Sequence, residues 1–300
     1  MKRVDFKRVK TYSLKARHSK VHKADFASPG KKGISFRKFY QSMPNILAAK
    51  QIRRLTSEIV TARKKKKAVI FMLGAHVIKC GLSPLIINLM KRKVITAVAL
   101  NGAGIIHDTE LAMVGSTSED VGLALKNGSF GMARETADFI NIAIDKGVRK
   151  GVGIGRVVGE RIRKANLPLS RISILAAGIK YKVPITVHVA MGTDIIHQHP
   201  SCNGAAVGEG SLVDFRNLVY SIINLNDGGV AINFGSAIIL PEVFLKAVNV
   251  ARNIGHEVKD FTTANFDMIA HYRPCENIIK RPTADGGWGC NIIGHHEIMI

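Results

Sequence analysis

The chain has 300 residues, of which 46% are hydrophobic and 22% are charged, the composition of a globular protein with a sizeable core. Its apolar runs reach only the length of strands, whereas a membrane-spanning helix needs ~20 apolar residues, and the basic N-terminus lacks the apolar stretch of a secretory signal. The four cysteines are spread along the chain without a C-x-x-C pair, which argues against a disulfide framework or a zinc ribbon. We therefore expect a soluble, cytoplasmic protein without a membrane partner.

Residues 1–67 form a basic arm. They hold 21 Lys and Arg against 3 acidic residues, a net charge of +18, whereas residues 68–300 hold 23 against 19, or +4. Apolar residues recur at helical spacing from about Asn45 to Lys66, which predicts one helix in the arm. Such an arm could bind nucleic acid or an acidic protein. It could equally be a solvated segment or fold across a neighbouring subunit, and these alternatives stay open.

Beyond the arm, strands and helices alternate. Predicted strands cover residues 68–73, 94–100, 185–190, 230–234 and 258–263, and helical patterns cover residues 82–93, 109–111, 139–144, 157–165, 212–225 and 241–253. The strands are nearly continuous apolar runs, as is typical of parallel strands covered on both faces. The pattern predicts an α/β fold, a Rossmann-like open parallel sheet with helices on both faces, in which ligands bind beyond the carboxyl ends of the strands.

Two glycine-rich segments are candidates for nucleotide binding. Asn101-Gly102-Ala103-Gly104 directly follows a predicted strand, where small residues let a phosphate or ribose approach and the next N–H groups can bind an anion. Glycine at a strand end can also serve the turn alone. The second segment, Gly151–Gly159, follows a basic, polar stretch, so we interpret it as a loop that leads into a helix.

Acidic and histidine residues near the predicted turns are further candidates. Glu242 follows Pro241 at a predicted helix start, where it either satisfies the helix dipole or holds a cationic amine. Two histidine clusters lack a third ligand at a fixed spacing, so we predict hydrogen-bonded or substrate-binding histidines and no metal site. These histidines are His197, His199, His295 and His296.

Five motifs between about residues 68 and 292 resemble, in order, those of deoxyhypusine synthases. They are Val98–Asp108, Asn203-Gly204, Gly235–Ile239, Thr263–Asp267 and Arg281–Gly289. The resemblance implies a deoxyhypusine synthase-like, NAD-binding domain over residues 68–300, in a homotetramer whose N-terminal segment can cover a neighbour's site. The cofactor-binding residues that it implies are Asn101, Gly102, Ala103, Gly104, Asp108, Asn203, Gly204, Thr263, Ala264 and Asp267.

The resemblance breaks at the nucleophile. In the family, the residue after Trp-Gly is a lysine that carries the substrate as a covalent imine, and here that residue is Cys290. A thiol cannot form an imine, so we do not expect true deoxyhypusine synthesis. Lys280 is a possible substitute, His107 replaces a cofactor-side glutamate, and Glu242 falls on the polyamine-binding histidine. With Trp288, which is expected to stack on the substrate or on nicotinamide, these are the predicted catalytic residues.

The preferred hypothesis is an NAD-dependent transferase that acts on an amine or polyamine-like substrate by imine chemistry. A first alternative is a non-catalytic nucleic-acid-binding protein that uses residues 1–67. A second is an NAD-dependent amine lyase or deaminase, in which water captures the imine. The enzyme hypotheses require that the loop of Trp288 closes over the turn at Asn101, within one subunit or across a contact between subunits, to form a pocket for the dinucleotide.

Overall fold

The computed structural model describes residues 4–300, so the first three residues of the predicted arm lie outside the described part. The chain divides into two compact units, and the boundary between them along the sequence falls between Arg54 and Leu55. The first unit contains three short 3-10 turns, then helix α1 and the start of helix α2. The turns are Phe6–Arg8, Leu14–Ala16 and Lys23–Asp25, and the helices are α1 (Phe36–Ser42) and α2 (Leu47–Lys64).

Local capping, and not a core, organises the first unit. Asp5 accepts a hydrogen bond from the N–H of Lys7, and Ser13 accepts one from the N–H of Lys15, so each closes a 3-10 turn. None of residues 4–54 is buried. The predicted helix of the arm is confirmed as α2, which ends in the basic run that complements a helix C-terminus.

The second unit contains a six-stranded sheet in which all strands are parallel, as predicted. The strands are β1 (Val69–Leu73), β2 (Ala97–Asn101), β3 (Ile185–His188), β4 (Val230–Phe234), β5 (Thr262–Asp267) and β6 (Trp288–Ile293). Their order across the sheet is β3-β2-β1-β4-β5-β6. The α/β, Rossmann-like fold class is therefore confirmed.

Helices connect the strands on both faces of this sheet. They are α3 (Ala75–Lys79), α4 (Ser83–Lys91), α5 (Gly102–Val114), α6 (Val121–Ala124), α7 (Arg134–Val148), α8 (Ile154–Lys164), α9 (Ile174–Tyr181), α10 (Gly204–Ile223), α11 (Ile239–Asn253), α12 (Tyr272–Pro274) and α13 (His296–Met299), with a π-helical turn at Cys275–Lys280. A hydrophobic core lies between the central strands and helices α10 and α11, where Met72 and Phe244 are fully buried. Among residues 4–300, no helix is long and apolar enough to cross a membrane.

The structure departs from the predicted elements near the C-terminus. The fifth strand was expected at residues 258–263 and lies at Thr262–Asp267, and the glycine-rich tail contains β6, which was not predicted. Gly286 and Gly287 precede β6 with positive φ angles of 82° and 91°. Such glycines are typical of turns, so the sequence pattern predicts a turn where β6 begins. These shifts decide which edge of the sheet each C-terminal residue occupies.

Candidate functional site

The strand order reverses between β1 and β4, and an open α/β sheet binds its ligand beyond the carboxyl ends of such a pair. Here the turns that follow the two strands touch. A Cβ added to Gly74 would lie 2.3 Å from the carbonyl oxygen of Gly235, and a Cβ added to Gly235 would lie 2.5 Å from Nε2 of His296. The contact fills the crevice at the reversal itself, so the openings near this edge lie away from it.

The larger opening is a cavity of about 720 Å³ beside helix α5. Its volume is in the range of small-molecule and cofactor pockets. One part of its wall is apolar and includes Ile106, Met113 and Phe130. The rest is polar and includes Lys79, His107, Glu110, Thr117, Glu119, Thr136 and Asp194.

A hydrogen-bonded chain fixes His107 in this cavity. The hydroxyl of Thr117 donates to Glu110, and Nδ1 of His107 lies 2.6 Å from the same hydroxyl oxygen. Because the single hydroxyl proton goes to Glu110, His107 donates through Nδ1 and keeps Nε2 as an acceptor. Burial, and then the positive charge of Lys79, lowers the pKa of His107 to about 4, so the ring is neutral at pH 7.

Asp194 places a carboxylate at the amino end of α5. Its side chain is 7% exposed, and none of residues 4–300 hydrogen-bonds to its Oδ2. A Cβ added to Gly102 would lie 1.9 Å from that oxygen, so glycine is required by the close approach of Asp194. Burial raises the pKa of Asp194. Nε2 of His197 lies 4.0 Å from the same oxygen, so the carboxylate is held between the histidine ring and Gly102.

The smaller opening, of about 150 Å³, lies on the other side of the contact, beyond the ends of β4, β5 and β6. Its wall contains Asp267 from the end of β5 and the segment that follows β6. The lining residues are His76, Gly235, Asp267, Met268, Gly294, His295, His296 and Glu297. The sheet edge thus offers a large polar cavity and a small one rich in histidine.

The turn after β2 is partly closed by its own residues. Asn101 caps α5, since its Oδ1 accepts the N–H of Gly104 at 3.0 Å. With Asp194 against Gly102, a phosphate has no room there unless the carboxylate moves. Ala103 does line the larger cavity, so the turn lies at the site although its N–H groups are not open as expected.

The structure gives Asp108 a structural role in place of the predicted cofactor contact. Its side chain is 1% exposed and accepts hydrogen bonds from Ser173 Oγ at 2.5 Å, the N–H of Ile174 at 2.7 Å and the N–H of Leu175 at 3.2 Å. These donors lie at the start of α9, so Asp108 caps that helix. Burial raises the pKa of Asp108 to about 6, against the lowering effect of its hydrogen bonds.

Trp288 and Cys290 do not reach this edge, so the expected closure over Asn101 within the chain is wrong. Trp288 pairs with Thr262, at the amino end of β5. Four strand spacings and five residues of strand separate it from Asn101, which corresponds to roughly 25 Å. Cys290 is 2% exposed in the middle of β6, which does not suit a nucleophile.

The predicted charged residues are engaged elsewhere. Lys280 ends the π-helical turn, from which the chain returns to the amino edge, and its ammonium donates to Glu276 at 2.6 Å. Glu242 starts α11 near the carboxyl edge as expected. Its carboxylate already accepts from Lys246, and from Arg273 at 3.1 Å and Asn277 at 2.8 Å. The hydrogen bond from Lys246 is the first cause of its lowered pKa.

The remaining residues of the resemblance are dispersed. Asn203 caps α10 and donates to Asp145 at 2.9 Å, and Gly204 is the first residue of that helix. Thr263 and Ala264 are fully buried inside β5. Of this group, Asp267 lines a cavity at the carboxyl edge, the smaller of the two.

The histidine clusters and the second glycine segment are also separated. His197 accepts two backbone N–H groups through Nδ1, and His199 lies 3.0 Å from the carbonyl of Gly131, whereas His295 and His296 line the smaller cavity. Within residues 4–300, no group of three or more His, Cys, Asp or Glu could hold a metal ion. Gly153 precedes α8, so the interpretation as a loop that leads into a helix is confirmed.

Sequence reasoning missed Lys79 and Asp194. Lys79 ends α3, a short helix that the sequence analysis did not predict, and one helical turn separates it from His76. Asp194 lies in the long connection after β3, where no periodic pattern points to it. A signal did exist for Gly102, because a glycine at the first position of a helix suggests a close neighbour.

Comparisons with known proteins give the fold. No protein-family model and no curated protein sequence matches the chain. A protein from Methanococcus maripaludis S2 assigned as LOR/SDH is 14% identical over 93% of this chain and 70% of its own, with a TM-score of 0.51. A protein from Entamoeba histolytica assigned as a deoxyhypusine synthase is 12% identical over 91% of this chain and 92% of its own, with a TM-score of 0.51.

A third similar structure is AgrE in a ternary complex with ornithine and NAD+, 12% identical with a TM-score of 0.51. The match covers 89% of this chain and 32% of AgrE, so the chain spans about a third of that protein. At these identities the comparisons establish the fold alone. The resemblance predicted from the sequence is confirmed at that level.

Proposed function

We propose that the chain binds NAD at the carboxyl edge of its sheet and is an NAD-dependent enzyme. The observation that carries this proposal is the reversal of the strand order between β1 and β4, together with a larger cavity beside α5 and a smaller one that Gly235 lines. A dinucleotide binds across such a reversal, with its halves on opposite sides. The NAD+ in the AgrE complex supports the same cofactor for this fold.

The polar residues of the larger cavity fit the phosphate and ribose groups of NAD. Lys79 supplies a positive charge for the pyrophosphate. Asp194 lines the same cavity, and its carboxylate is the proposed acceptor for a ribose hydroxyl. The small side chain of Ala103 leaves room beside the backbone of α5. When bound, NAD+ supplies a hydride acceptor.

An amine substrate is supported by the acidic part of the same cavity, where Glu110 and Glu119 lie near neutral His107. Both residues predicted as covalent carriers, Cys290 and Lys280, are positioned away from this edge. Their positions favour the lyase or deaminase over group transfer, because water then takes the carrier's place. Release of ammonia from a small primary amine in the presence of NAD+ tests that preference, and aminoalkyl transfer to a protein lysine would reverse it.

Titration of the full chain with NAD+ in a calorimeter tests the cofactor assignment. We expect saturable heat, and we expect Lys79→Ala to weaken binding about tenfold or more, because a charge-assisted hydrogen bond contributes ~1.5–3 kcal/mol. Lys91→Ala, at an exposed position of α4, is the control for loss of one charge and should leave the Kd unchanged. Absence of heat with millimolar NAD+ would refute the proposal, and equal effects of the two variants would refute the role of Lys79.

A further inference from the structure

Strand β6 is the last strand of the sheet, and it pairs with β5 alone. The N–H of Trp288 donates to the carbonyl of Phe261, and the N–H of Gly294 donates to the carbonyl of Asp267. Backbone groups alternate in direction along a strand. The even-numbered residues of β6 therefore direct their N–H groups towards β5, and the odd-numbered residues direct theirs away from it.

The outward-facing backbone groups belong to Gly289, Asn291 and Ile293, which we name the free edge of β6. None of residues 4–300 hydrogen-bonds to these N–H and C=O groups. Gly289 and Asn291 are half-buried and Ile293 is 50% exposed, so solvent reaches the free edge. A row of open backbone groups of this kind is suited to pairing with another strand.

A row of asparagine side chains runs across the sheet and ends at the free edge. Asn233 on β4 donates through Nδ2 to Oδ1 of Asn265 on β5 at 2.7 Å, and Asn265 donates to Oδ1 of Asn291 on β6 at 2.8 Å. The strand register places the three residues side by side. Within residues 4–300, no group accepts a hydrogen bond from Nδ2 of Asn291. This amide is therefore a donor that can continue the row beyond β6.

The free edge lacks the residues that usually prevent strands from pairing. Lysine, proline and bulges are common at edges that stay unpaired. β6 contains no proline and no charged residue. Residues 282–300 contain no Lys or Arg, although the chain carries a net charge of +22. A second copy of this positively charged chain therefore meets no positive charge from this segment.

We propose that two copies of the chain pair through their free edges about a twofold axis at Asn291, which joins the two sheets into one. A twofold axis makes the two strands antiparallel and sets Asn291 opposite itself. Gly289 then lies opposite Ile293 of the partner subunit, so all outward-facing backbone groups of both strands gain partners. Any other register leaves some of these groups unpaired. The two asparagine rows also meet at the axis.

This inference goes beyond the proposed function and does not depend on it, because no residue of β6 lines either cavity. It commits to a second copy as the occupant of the free edge. The self-complementary register, the open donor of Asn291 and the absence of positive charge all support that choice.

Sedimentation velocity of the full chain tests the pairing. The wild-type chain should form a dimer or a larger even-numbered assembly. Asn291→Asp keeps an oxygen that accepts from Asn265 but sets two carboxylates opposite each other at the axis. It should raise the Kd of the pairing about tenfold or more, because repulsion replaces an amide contact. Asn88→Asp, at an exposed position of α4, is the matched control and should keep the wild-type assembly.

A second variant removes a backbone donor and keeps the side-chain row. Ile293→Pro deletes an N–H that points away from β5, so pairing with β5 should survive, as proline is tolerated on an edge strand. The loss of this donor and the proline ring at the interface should weaken the assembly as Asn291→Asp does. Two variants with different chemistry thus guard against misfolding of either one.

Amide hydrogen exchange identifies the interface itself. In the wild-type assembly, the N–H groups of Gly289, Asn291 and Ile293 should be protected, as those of Cys290 and Ile292 are by β5. In Asn291→Asp, the odd-numbered groups should exchange about tenfold faster or more, while the even-numbered groups stay protected. An alternating change of this kind is specific to strand pairing and would not follow from loss of the fold.

Three results would overturn the proposal. The first is a wild-type chain that stays monomeric at roughly 100 μM, where specific complexes with micromolar Kd are formed. The second is an assembly that both variants leave unchanged. The third is protection of the odd-numbered groups in a monomer, which would show that another segment of the chain covers the free edge. None of these measurements involves NAD+, so each leaves the proposed function intact.

Discussion

Buried carboxylates join the helices of this protein to its sheet. Asp214 on α10 is 1% exposed, and its Oδ2 accepts the N–H of Gly155 and the N–H of Val187, both at 2.9 Å. One carboxylate thus caps α8 and binds the backbone of β3. Burial raises the pKa of Asp214 to about 7, although its hydrogen bonds act in the opposite direction. This group should make stability depend on pH near neutrality.

The direction of this pH dependence follows from proton binding by Asp214. Between its unfolded pKa of 3.8 and its folded pKa of about 7, Asp214 holds a proton in the folded state and loses it on unfolding. The stabilisation is therefore complete below pH 4 and is lost as the pH rises through 7. Relative to Asp214→Asn, which has no proton to lose, the wild-type chain should lose roughly 2.5–3 kcal/mol of unfolding free energy between pH 5 and pH 8.

Urea denaturation of both chains across this range measures the effect. The difference between them is the useful quantity, because burial lowers the pKa of His188 to about 3 and gives that residue the opposite pH dependence. Asp120→Asn, at an exposed helix cap, is the control and should follow the wild-type curve. Parallel curves for Asp214→Asn and the wild type would show that Asp214 does not titrate in this range.

At the scale of elements, β6 fixes the position of the single tryptophan. Trp288 begins this strand at the amino edge, roughly 25 Å from the turn at Asn101. Its intrinsic fluorescence should therefore stay unchanged when NAD+ binds at the carboxyl edge. A titration corrected for absorption by NAD+, run beside calorimetry, measures this directly. Saturable quenching with the calorimetric Kd would place a tryptophan at the cofactor, from this chain or from a neighbouring subunit.

Helices and strands with a clear pattern of hydrophobic residues were predictable from the sequence. Whether a motif lies at the start or the end of its strand was not. The apolar run of β4 and the helical spacing of α2 and α11 reappear in the structure. β5 was displaced and β6, which glycines flank, was missed, because short strands carry little periodic signal. Since a motif at the start of a strand and one at its end lie at opposite edges, this shift moved Trp288 away from the expected site.

The site was predictable in part for the same reason. Asn101 directly follows the predicted second strand, so its place at the carboxyl edge follows from the order of elements, whereas Asp267 ends β5 four residues beyond the strand predicted there. Asp194 and His296 come from connections without a pattern, and their contacts with Gly102 and Gly235 depend on the packed tertiary structure. In the sequence, such packing is visible only as a glycine at the position that the side chain contacts.

At the scale of the whole molecule, the two units differ in what stabilises them. Residues 4–54 have local caps and no buried side chain, while the second unit encloses a continuous core. Exposed aromatic residues such as Phe6 and Tyr12 lie among the positive charges of the first unit. A nucleic acid, an acidic protein or a neighbouring subunit as the partner of this unit stays a prediction, independent of the proposed cofactor site.

A crystal structure of the full chain grown with saturating NAD+ tests the central claim most directly. We expect continuous density for the dinucleotide at the carboxyl edge of the sheet, with the phosphates near Lys79. An empty carboxyl edge at saturating NAD+, or a dinucleotide bound at the amino edge near Trp288, would contradict the account.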